Sequence, residues 1–238
     1  EVVSILGPSG VGKSSLLRVL AGLQAPRGGS VTLRGEPLQG PHPRLAVAFQ
    51  DPSLLPWLSL EKNVAFGLDF ARQPKLAASE RRARIDHAIA DVGLAHARNQ
   101  YPAQLSGGMA QRTALARCLA RQPEVLLLDE PFGALDEVTR ADMQQLLLQL
   151  IATHNTAAVL ITHDIDEALL LSDRVLLLGN HPAHILGQWR IDLPQPRTQR
   201  VEELGALRIE IVKTLRRASR TVEPSPTPLP SEAVHVHG

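Results

Sequence analysis

The sequence is poor in several features that mark other classes of protein. Its single cysteine, Cys118, excludes a disulfide within the chain and favours a reducing compartment. No apolar run approaches the roughly 20 residues of a membrane-spanning helix, so a membrane would be reached through a partner. The net charge of +1 argues against a broad basic surface for nucleic acid. We expect Cys118 to be a small core residue on a helix rather than a nucleophile.

Length and composition favour a globular α/β protein with a short tail. With 238 residues, 44% of them apolar, the chain can form one large domain or a domain that carries an inserted lobe. From Val222 onward it is rich in Pro, Ser and Thr, and we expect that tail to be disordered. The chain starts at Glu1, without Met or a signal-peptide pattern, which leaves open either a truncated N-terminus or the lack of a segment that usually comes earlier. Four histidines are interpreted as incidental rather than metal-binding: His181, His184, His235 and His237.

A glycine-rich stretch near the start of the chain predicts a nucleotide site. Residues 7–14 match the phosphate-binding pattern G-x-x-x-x-G-K-[ST], with an apolar run before them and a helical pattern after them. Glycines let backbone N–H groups turn inward around an anion, the helix adds the positive end of its dipole, and Lys13 adds a full charge. A turn that matches by chance is the alternative, which the flanking elements disfavour. The predicted phosphate-binding residues are Gly7, Pro8, Ser9, Gly10, Val11, Gly12, Lys13, Ser14 and Ser15.

Alternating strand and helix patterns predict an α/β core with a parallel sheet. Apolar runs at 2–6, 45–49, 125–128, 157–161 and 174–178 indicate buried strands, and a hairpin is predicted around Gly187. Residues 30–34 alternate like a half-exposed strand. Helical patterns dominate residues 58–122, where Ser59 can cap a helix, so we expect a helical lobe inserted into the core. Residues 201–217 carry an apolar stripe along one face.

Polar residues follow the predicted strands, where ligand crevices form in such sheets. Gln50 follows one strand, Asp129 and Glu130 end another, and His163 follows a third. Ser14 and Asp129 suit Mg²⁺, and Gln50 would complete its shell. Glu130 could polarise an attacking water, and His163 could align that water with a γ-phosphate. The carboxylate pair could instead be a structural cap or a metal pair, and a lone histidine at a strand end is often structural.

A second helix start that can bind an anion is predicted well beyond the phosphate loop in the sequence. Ser106, Gly107 and Gly108, within the sequence LSGGM, precede a helix that runs through Arg121. Backbone N–H groups at such a helix start can bind an anion. Taken alone, the same residues are also compatible with an ordinary capped helix after a loop.

Together these motifs resemble those of the ATP-binding subunits of ABC transporters. In chain order they are GPSGVGKS, Gln50 with its loop, LSGGM, LLLDE, GALD and the histidine of ITHD, and the resemblance extends from Glu1 to about Arg217. It implies an α/β P-loop NTPase core with a parallel sheet, a helical subdomain inserted at about 58–122 and a partly missing antiparallel β subdomain. The ATPase domain would cover residues 1–221, and the tail residues 222–238.

The resemblance also implies a mechanism with ATP and Mg²⁺. Ser106, Gly107 and Gly108 would cover the γ-phosphate held by a second subunit, so two chains would pack head to tail as a homodimer. Asp136 of GALD would lie at the seam of that dimer and link the two sites. The implied catalytic residues are Lys13, Gln50, Glu130 and His163, and the implied metal ligands are Ser14, Gln50 and Asp129.

The remaining implied partners are those of an importer. They are integral membrane permease subunits and, indirectly, a periplasmic or surface solute-binding protein, with the chain on the cytoplasmic face of the inner membrane and no nucleic acid. The loop FQDPSLLPW and the run GPSGVGKSSLLRVLAGL resemble importers of the nitrate, sulfonate and taurine type. Leu55 and Trp57 would offer apolar contacts to a short permease helix, or they pack within the lobe. The aromatic residue that usually stacks on adenine has no counterpart here.

Two other functional classes remain as alternatives. A soluble ABC ATPase of DNA repair, chromosome structure or translation is disfavoured, because residues 15–105 lack sustained heptads and the chain holds one ATPase half. A binding module without turnover is disfavoured by the presence of Lys13, Asp129, Glu130 and His163. The transported solute stays open among sulfonates, taurine, nitrate, thiamine precursors and related small solutes.

Overall fold

A six-stranded sheet lies at the centre of the chain. The structure, a computed structural model, describes residues 1–180, 182–198 and 200–220. The expectations for the tail from Val222, with His235 and His237, and for His181 lie outside those residues. The strands are β1 (Val2–Leu6), β2 (Thr32–Leu33), β3 (Glu36–Pro37), β4 (Leu45–Ala48), β5 (Val125–Asp129), β6 (Ala157–Thr162), β7 (Arg174–Gly179) and β8 (His184–Arg190).

The strand order brings the chain segments that follow three of the strands together at one edge of the sheet. The order is β4-β5-β6-β1-β7-β8, with parallel neighbours except for the antiparallel pair β7 and β8. The register sets Leu6 opposite Thr162 and Asp129 opposite Ile161. The carboxyl ends of β1, β5 and β6 therefore meet, and the phosphate loop, Glu130 and His163 follow them directly. The prediction of a parallel α/β sheet is confirmed.

Helices cover both faces of the sheet because alternate strand residues point to opposite sides. Leu126 and Leu128 pack in one core with residues of the helical lobe and of the helix at 137–154, whereas Leu127 packs in another with Leu17. A third core joins the helices at 165–171 and 201–220 to β7 and β8. The helices are α1 (Lys13–Leu20), α2 (Leu60–Ala65), α3 (Ala78–Asp91), α4 (Gly107–Leu119), α5 (Glu137–His154), α6 (Ile165–Leu171) and α7 (Val201–Arg220).

Between β4 and β5 the chain forms α2, α3, α4 and two short 3-10 turns. Ser59 caps α2 by accepting the N–H of Lys62, as its sequence position predicts. Arg98 connects two of these helices, because it pairs with Glu61 on α2 and with Asp86 on α3. Cys118 is fully buried on α4, where burial raises the pKa of its thiol to about 11.

Local boundaries differ from the predictions in three places. The strand predicted at 30–34 is limited to Thr32–Leu33, because the turn at Arg34 and Gly35, both with positive φ, returns the chain at once as β3. β4 ends at Ala48, and Phe49 is exposed rather than part of a covered strand. The hairpin joins β7 to β8, but Gly187 lies inside β8 opposite Leu177 rather than in the turn.

Candidate functional site

The phosphate loop has the backbone that its glycines predict. Gly10 and Gly12 have φ of 80° and 107°, a region that other L-residues rarely adopt. A Cβ on Gly7 would lie 2.6 Å from the carbonyl oxygen of Leu178, so no larger residue fits there without movement. Gly12 precedes α1 without any side chain that caps the helix. The first N–H groups of α1 are therefore available to an anion, which fits a bound phosphate.

Lys13 lies inside this loop with only 5% of its surface exposed. Its Nζ donates hydrogen bonds to the carbonyl oxygens of Gly7 at 2.8 Å and Pro8 at 3.0 Å. Burial lowers the pKa of Lys13, while the nearby carboxylates of Glu130 and Asp129 act in the opposite direction. The ammonium group thus lies between the loop and the carboxylates, where it can neutralise phosphate oxygens.

Ser14 and Asp129 come together across the sheet edge. The Ser14 hydroxyl donates to Oδ1 of Asp129 at 3.2 Å, although 115 residues separate them in sequence. Hydroxyl and carboxylate oxygens are the ligands that Mg²⁺ prefers. Because the two oxygens are this close, both can reach a single ion, and the donor set fits the predicted metal site.

Glu130, directly after Asp129, has an unusual backbone conformation. Its φ is 44°, in the left-handed region, and its N–H is bonded to the carbonyl oxygen of Ile161 at 2.9 Å. Strained backbone of this kind concentrates at functional sites. Oε2 of Glu130 lies 3.3 Å from Nδ1 of His163, whose side chain is 58% exposed. The two residues predicted to handle the attacking water are therefore in contact.

Gln50 and Glu130 both lie close to Gly133. A Cβ built on Gly133 would be 3.5 Å from Nε2 of Gln50 and 3.8 Å from Oε2 of Glu130, so both side chains border the same short loop. The structure thus brings the predicted metal and catalytic residues of this chain into one neighbourhood. It contains Lys13, Ser14, Gln50, Asp129, Glu130 and His163.

Ser106, Gly107 and Gly108 lie elsewhere in the chain. Ser106 caps α4 by accepting the N–H of Met109 at 3.3 Å, and Ser106 and Gly107 are exposed. A Cβ on Gly108 would come within 2.7 Å of Cγ2 of Thr139, at the start of α5. Among the described residues, no hydrogen bond joins this segment to the phosphate loop. Its exposed face is available to a second molecule.

Asp136 lies beside the same segment. It caps α5 by accepting the N–H of Thr139 at 3.0 Å and the Thr139 hydroxyl at 2.6 Å. These hydrogen bonds lower the pKa of Asp136. Thr139 therefore contacts both the GALD and the LSGGM sequences, and both face outward at one surface.

Sequence reasoning missed three residues around this site. Arg117 on α4 binds the main chain that follows Gln50, and Arg140 and Glu167 line a cavity together with Glu130 and His163. Glu167 falls four residues after His163 on a helical pattern, which was the available signal. The partners of Arg117 gave no such signal, because its two acceptors are main-chain oxygens more than 60 residues away.

An apolar groove separates the core from the helical lobe. It has a volume of about 300 Å³, and three exposed aromatic rings line it: Phe49, Phe66 and Phe70. Phe66 and Phe70 pack edge to face with ring centroids 5.2 Å apart. Leu55 and Trp57, the residues predicted to offer apolar contacts, do not line this groove in the part of the chain that the structure describes. Trp57 is nevertheless 69% exposed.

Within the described ranges, no helix is both long enough and apolar enough to span a bilayer.

Comparison with known proteins shows the family to which the chain is related. A family model described as "ABC transporter" matches residues 1–133. The aliphatic sulfonates import ATP-binding protein SsuB 2 of Burkholderia cenocepacia is 44% identical over 97% of this chain and 83% of that protein.

Two further relatives agree with this match. The nitrate transport protein NasD of Klebsiella oxytoca is 46% identical over 84% of this chain and 76% of that protein. Among solved structures, the dimeric ATP-binding cassette MJ0796, in a post-hydrolysis state with ADP and Pi, matches with a TM-score of 0.70. It is 31% identical, and the match covers 82% of this chain and 87% of that one.

Proposed function

The chain belongs to the ABC transporter family and is an ATPase coupled to transport, and we propose that it powers the uptake of a small oxyanion. Relatives named for import of aliphatic sulfonates and for nitrate transport support this solute class. A soluble ABC ATPase of DNA repair or translation has no support from these relatives. Because the solute does not contact this subunit, its residues carry no direct record of which oxyanion is transported.

The contact between Glu130 and His163 carries the proposed mechanism. Glu130 polarises the attacking water, and His163 aligns that water with the γ-phosphate, since the two side chains lie 3.3 Å apart beside the phosphate loop. Lys13 neutralises charge on the β- and γ-phosphates from inside the loop. Gln50, beside Glu130, responds to the presence of the γ-phosphate.

We propose that Ser14, Asp129 and Gln50 hold Mg²⁺ with the nucleotide. The 3.2 Å contact between Ser14 and Asp129 supports the assignment, because two hard oxygen ligands already converge there. When bound, the ion would supply positive charge that polarises the phosphates. The residues of the chain then orient the triphosphate and keep the attacking water in line.

The complete site requires a second copy of the chain. Ser106 and Gly107 are exposed at the helix start, and among the described residues no hydrogen bond connects the segment 106–108 to its own phosphate loop. In a head-to-tail dimer they would cover the γ-phosphate held by the other subunit, with Asp136 at the seam. The dimeric state of the cassette MJ0796 supports this arrangement.

The groove lined by Phe49, Phe66 and Phe70 is the proposed docking site of the membrane permease. It lies between the core and the helical lobe, close to the loop that follows Gln50. Docking there places the chain on the cytoplasmic face of the membrane. ATP closes the dimer, closure moves the docked permease segments, and hydrolysis resets the pair.

Co-purification with its membrane subunits tests this proposal most directly. The ATPase activity of the reconstituted complex should rise when a solute-binding protein loaded with an alkyl sulfonate or with nitrate is added. Each ligand is assayed separately, with the unloaded binding protein as control. An ATPase rate that rises with neither anion, but rises when the binding protein carries a pyrimidine precursor of thiamine, would contradict the oxyanion assignment. It would leave the ATPase assignment intact.

A further inference from the structure

A buried carboxylate lies beside the site and has no part in the chemistry proposed above. Glu167 on α6 is only 7% exposed. It lines a cavity of about 80 Å³ together with Glu130, His163 and Arg140. Burial of a carboxylate is unfavourable unless its oxygens find hydrogen-bond partners. The identity of those partners therefore indicates what the residue does.

The partners of Glu167 come from two different elements. Nε2 of Gln144, on α5, donates to its Oε1 at 3.4 Å. The side chain of Thr162, the last residue of β6, lines the same cavity as the carboxylate. Burial raises the pKa of Glu167, and the side chains of Thr162 and Gln144 act in the opposite direction. The carboxylate thus joins α5 to the residue that immediately precedes His163.

Hydrogen bonds near Glu167 also hold the loop that carries His163. Oγ1 of Thr162 accepts the N–H of Asp164 at 3.0 Å, so its own hydrogen remains available to Glu167. Oδ1 of Asp164 in turn accepts the N–H groups of Asp166 at 2.8 Å and of Glu167 at 3.1 Å. The backbone on both sides of His163 is therefore tied to Glu167 and its neighbours.

The helix α5, which carries Gln144, begins at the proposed dimer seam. α5 begins at its cap, Asp136, and Nη2 of Arg140 donates to the carbonyl oxygen of Leu135 at 3.0 Å. Gln144 lies one helical turn beyond Arg140 on the same helix. A displacement of α5 when the seam closes would therefore move the amide that holds Glu167.

We propose that Glu167 is a positioning residue that couples α5 to His163, so that closure at the seam sets the place of the histidine. This inference rests on the proposed function, in which His163 aligns the attacking water. In this proposal Glu167 acts on the attacking water only through His163. A carboxylate that only supported the fold of α6 would affect stability and would leave His163 unchanged.

A double-mutant cycle with His163 separates these two roles. Glu167→Ala removes the contacts of the carboxylate with Gln144 and Thr162, and kcat for ATP should fall about tenfold while KM changes less than about twofold. In a His163→Ala background the same substitution should cause no further fall in kcat. An equal fall in both backgrounds would overturn the proposal, since Glu167 would then act independently of His163.

Leu171→Ala is the matched control, because Leu171 is also buried on α6 and lies one turn from Glu167. It should lower the midpoint of thermal unfolding and leave kcat within about twofold of the wild-type value. If Glu167→Ala does not fold, the isosteric Glu167→Gln replaces it, because its amide NH₂ group can only donate and so removes the acceptor that one carboxylate oxygen provides. Its kcat should lie between those of the wild type and Glu167→Ala.

A spectroscopic measurement tests Glu167 without any turnover. The imidazole NMR signals of His163, identified by their loss in His163→Ala, should shift in Glu167→Gln and stay in place in Leu171→Ala. Unshifted His163 signals in a folded Glu167→Gln chain would overturn the proposal. A wild-type chain that hydrolyses no ATP would contradict the proposed function instead, and the NMR result would still decide on Glu167.

Discussion

Arg117 donates a hydrogen bond from Nη2 to the carbonyl oxygen of Pro52 at 2.7 Å, and Nη1 binds the carbonyl oxygen of Ser53 at 3.0 Å. These acceptors lie just beyond Gln50, at the border of the metal and catalytic residues. Arg117 belongs to α4, the helix that Ser106 caps. One guanidinium therefore connects the loop after Gln50 to the helix that presents the LSGGM sequence.

Arg117→Met should loosen this loop. Loss of two charge-assisted hydrogen bonds is expected to lower the free energy of unfolding by about 2 kcal/mol, measured by urea titration. Because Gln50 is then less well placed, kcat should fall severalfold, and proteolysis between Asp51 and Ser53 should become faster. Arg121→Met is the control. Arg121 lies just after the end of α4 and contacts the carbonyl oxygens of His42 and Pro43 instead. Equal losses of kcat in both variants would contradict the role of Arg117.

The contrast between Lys13 and Arg117 shows what the sequence can and cannot predict. The pattern around Lys13 involves only neighbouring residues, because adjacent residues determine the glycine conformations and the start of the helix. The phosphate loop and its flanking elements were therefore predictable. Arg117 finds its acceptors across 64 and 65 residues, and these are main-chain oxygens that any sequence would offer. Such a contact depends on the tertiary fold alone.

Glu130→Gln should nearly abolish ATP turnover, because an amide cannot accept the proton of the attacking water. The expected fall in kcat is on the order of 10²–10⁴-fold, the usual contribution of a general base. ATP binding should persist, and the variant should accumulate as an ATP-bound dimer, seen by size-exclusion chromatography with light scattering. Undiminished hydrolysis by this variant would remove Glu130 from its proposed role.

Ser106→Arg should block hydrolysis while a single chain still binds ATP. An arginine at this exposed helix start would exclude the γ-phosphate of the partner, whereas the phosphate loop of the same chain is unaffected. The expected fall in kcat is at least about 10²-fold, as for loss of a group that stabilises transition-state charge. Nucleotide affinity of the isolated chain, measured with a fluorescent ATP analogue, should stay near the wild-type value.

Mixing variants tests whether the site is shared between subunits. Lys13→Ala and Ser106→Arg should each be inactive alone. A mixed dimer, however, contains one site that combines an intact Lys13 with an intact Ser106, so mixing should restore part of the activity. If mixing restores nothing although mixed dimers form, Lys13 and Ser106 do not complete one site in trans.

Cys118 should be nearly inert in the folded chain. Its pKa of about 11 leaves on the order of 10⁻³ of the thiol ionised at pH 8, and the thiolate is the form that reacts. Alkylation by iodoacetamide at pH 8 should therefore be slow and should accelerate strongly in denaturant, as followed by mass spectrometry. Rapid alkylation under native conditions would contradict its placement in the core.

The apolar groove is a second candidate surface for the permease, beside the one that the sequence indicates. The sequence indicated Leu55 and Trp57 as apolar contacts for a permease helix, because large apolar residues stand out in the proline-broken loop after Gln50. In the structure Asn63, which is fully buried, binds the main-chain N–H and carbonyl of Leu55. The exposed rings in the groove belong to Phe49, Phe66 and Phe70, and Phe66 is the C-terminal cap of α2.

Phe70→Asp and Trp57→Asp decide between these two surfaces. Both side chains are more than half exposed, so neither substitution should lower the thermal midpoint by more than a few degrees. Phe70→Asp introduces a charge into the groove and breaks the edge-to-face pair with Phe66, so it should abolish co-purification with the permease while the basal ATPase rate persists. Trp57→Asp lies outside the groove and should leave co-purification intact. The reverse outcome, with binding lost only in Trp57→Asp, would move the docking surface to the loop after Gln50, because the permease would then recognise the proline-broken segment rather than the aromatic groove.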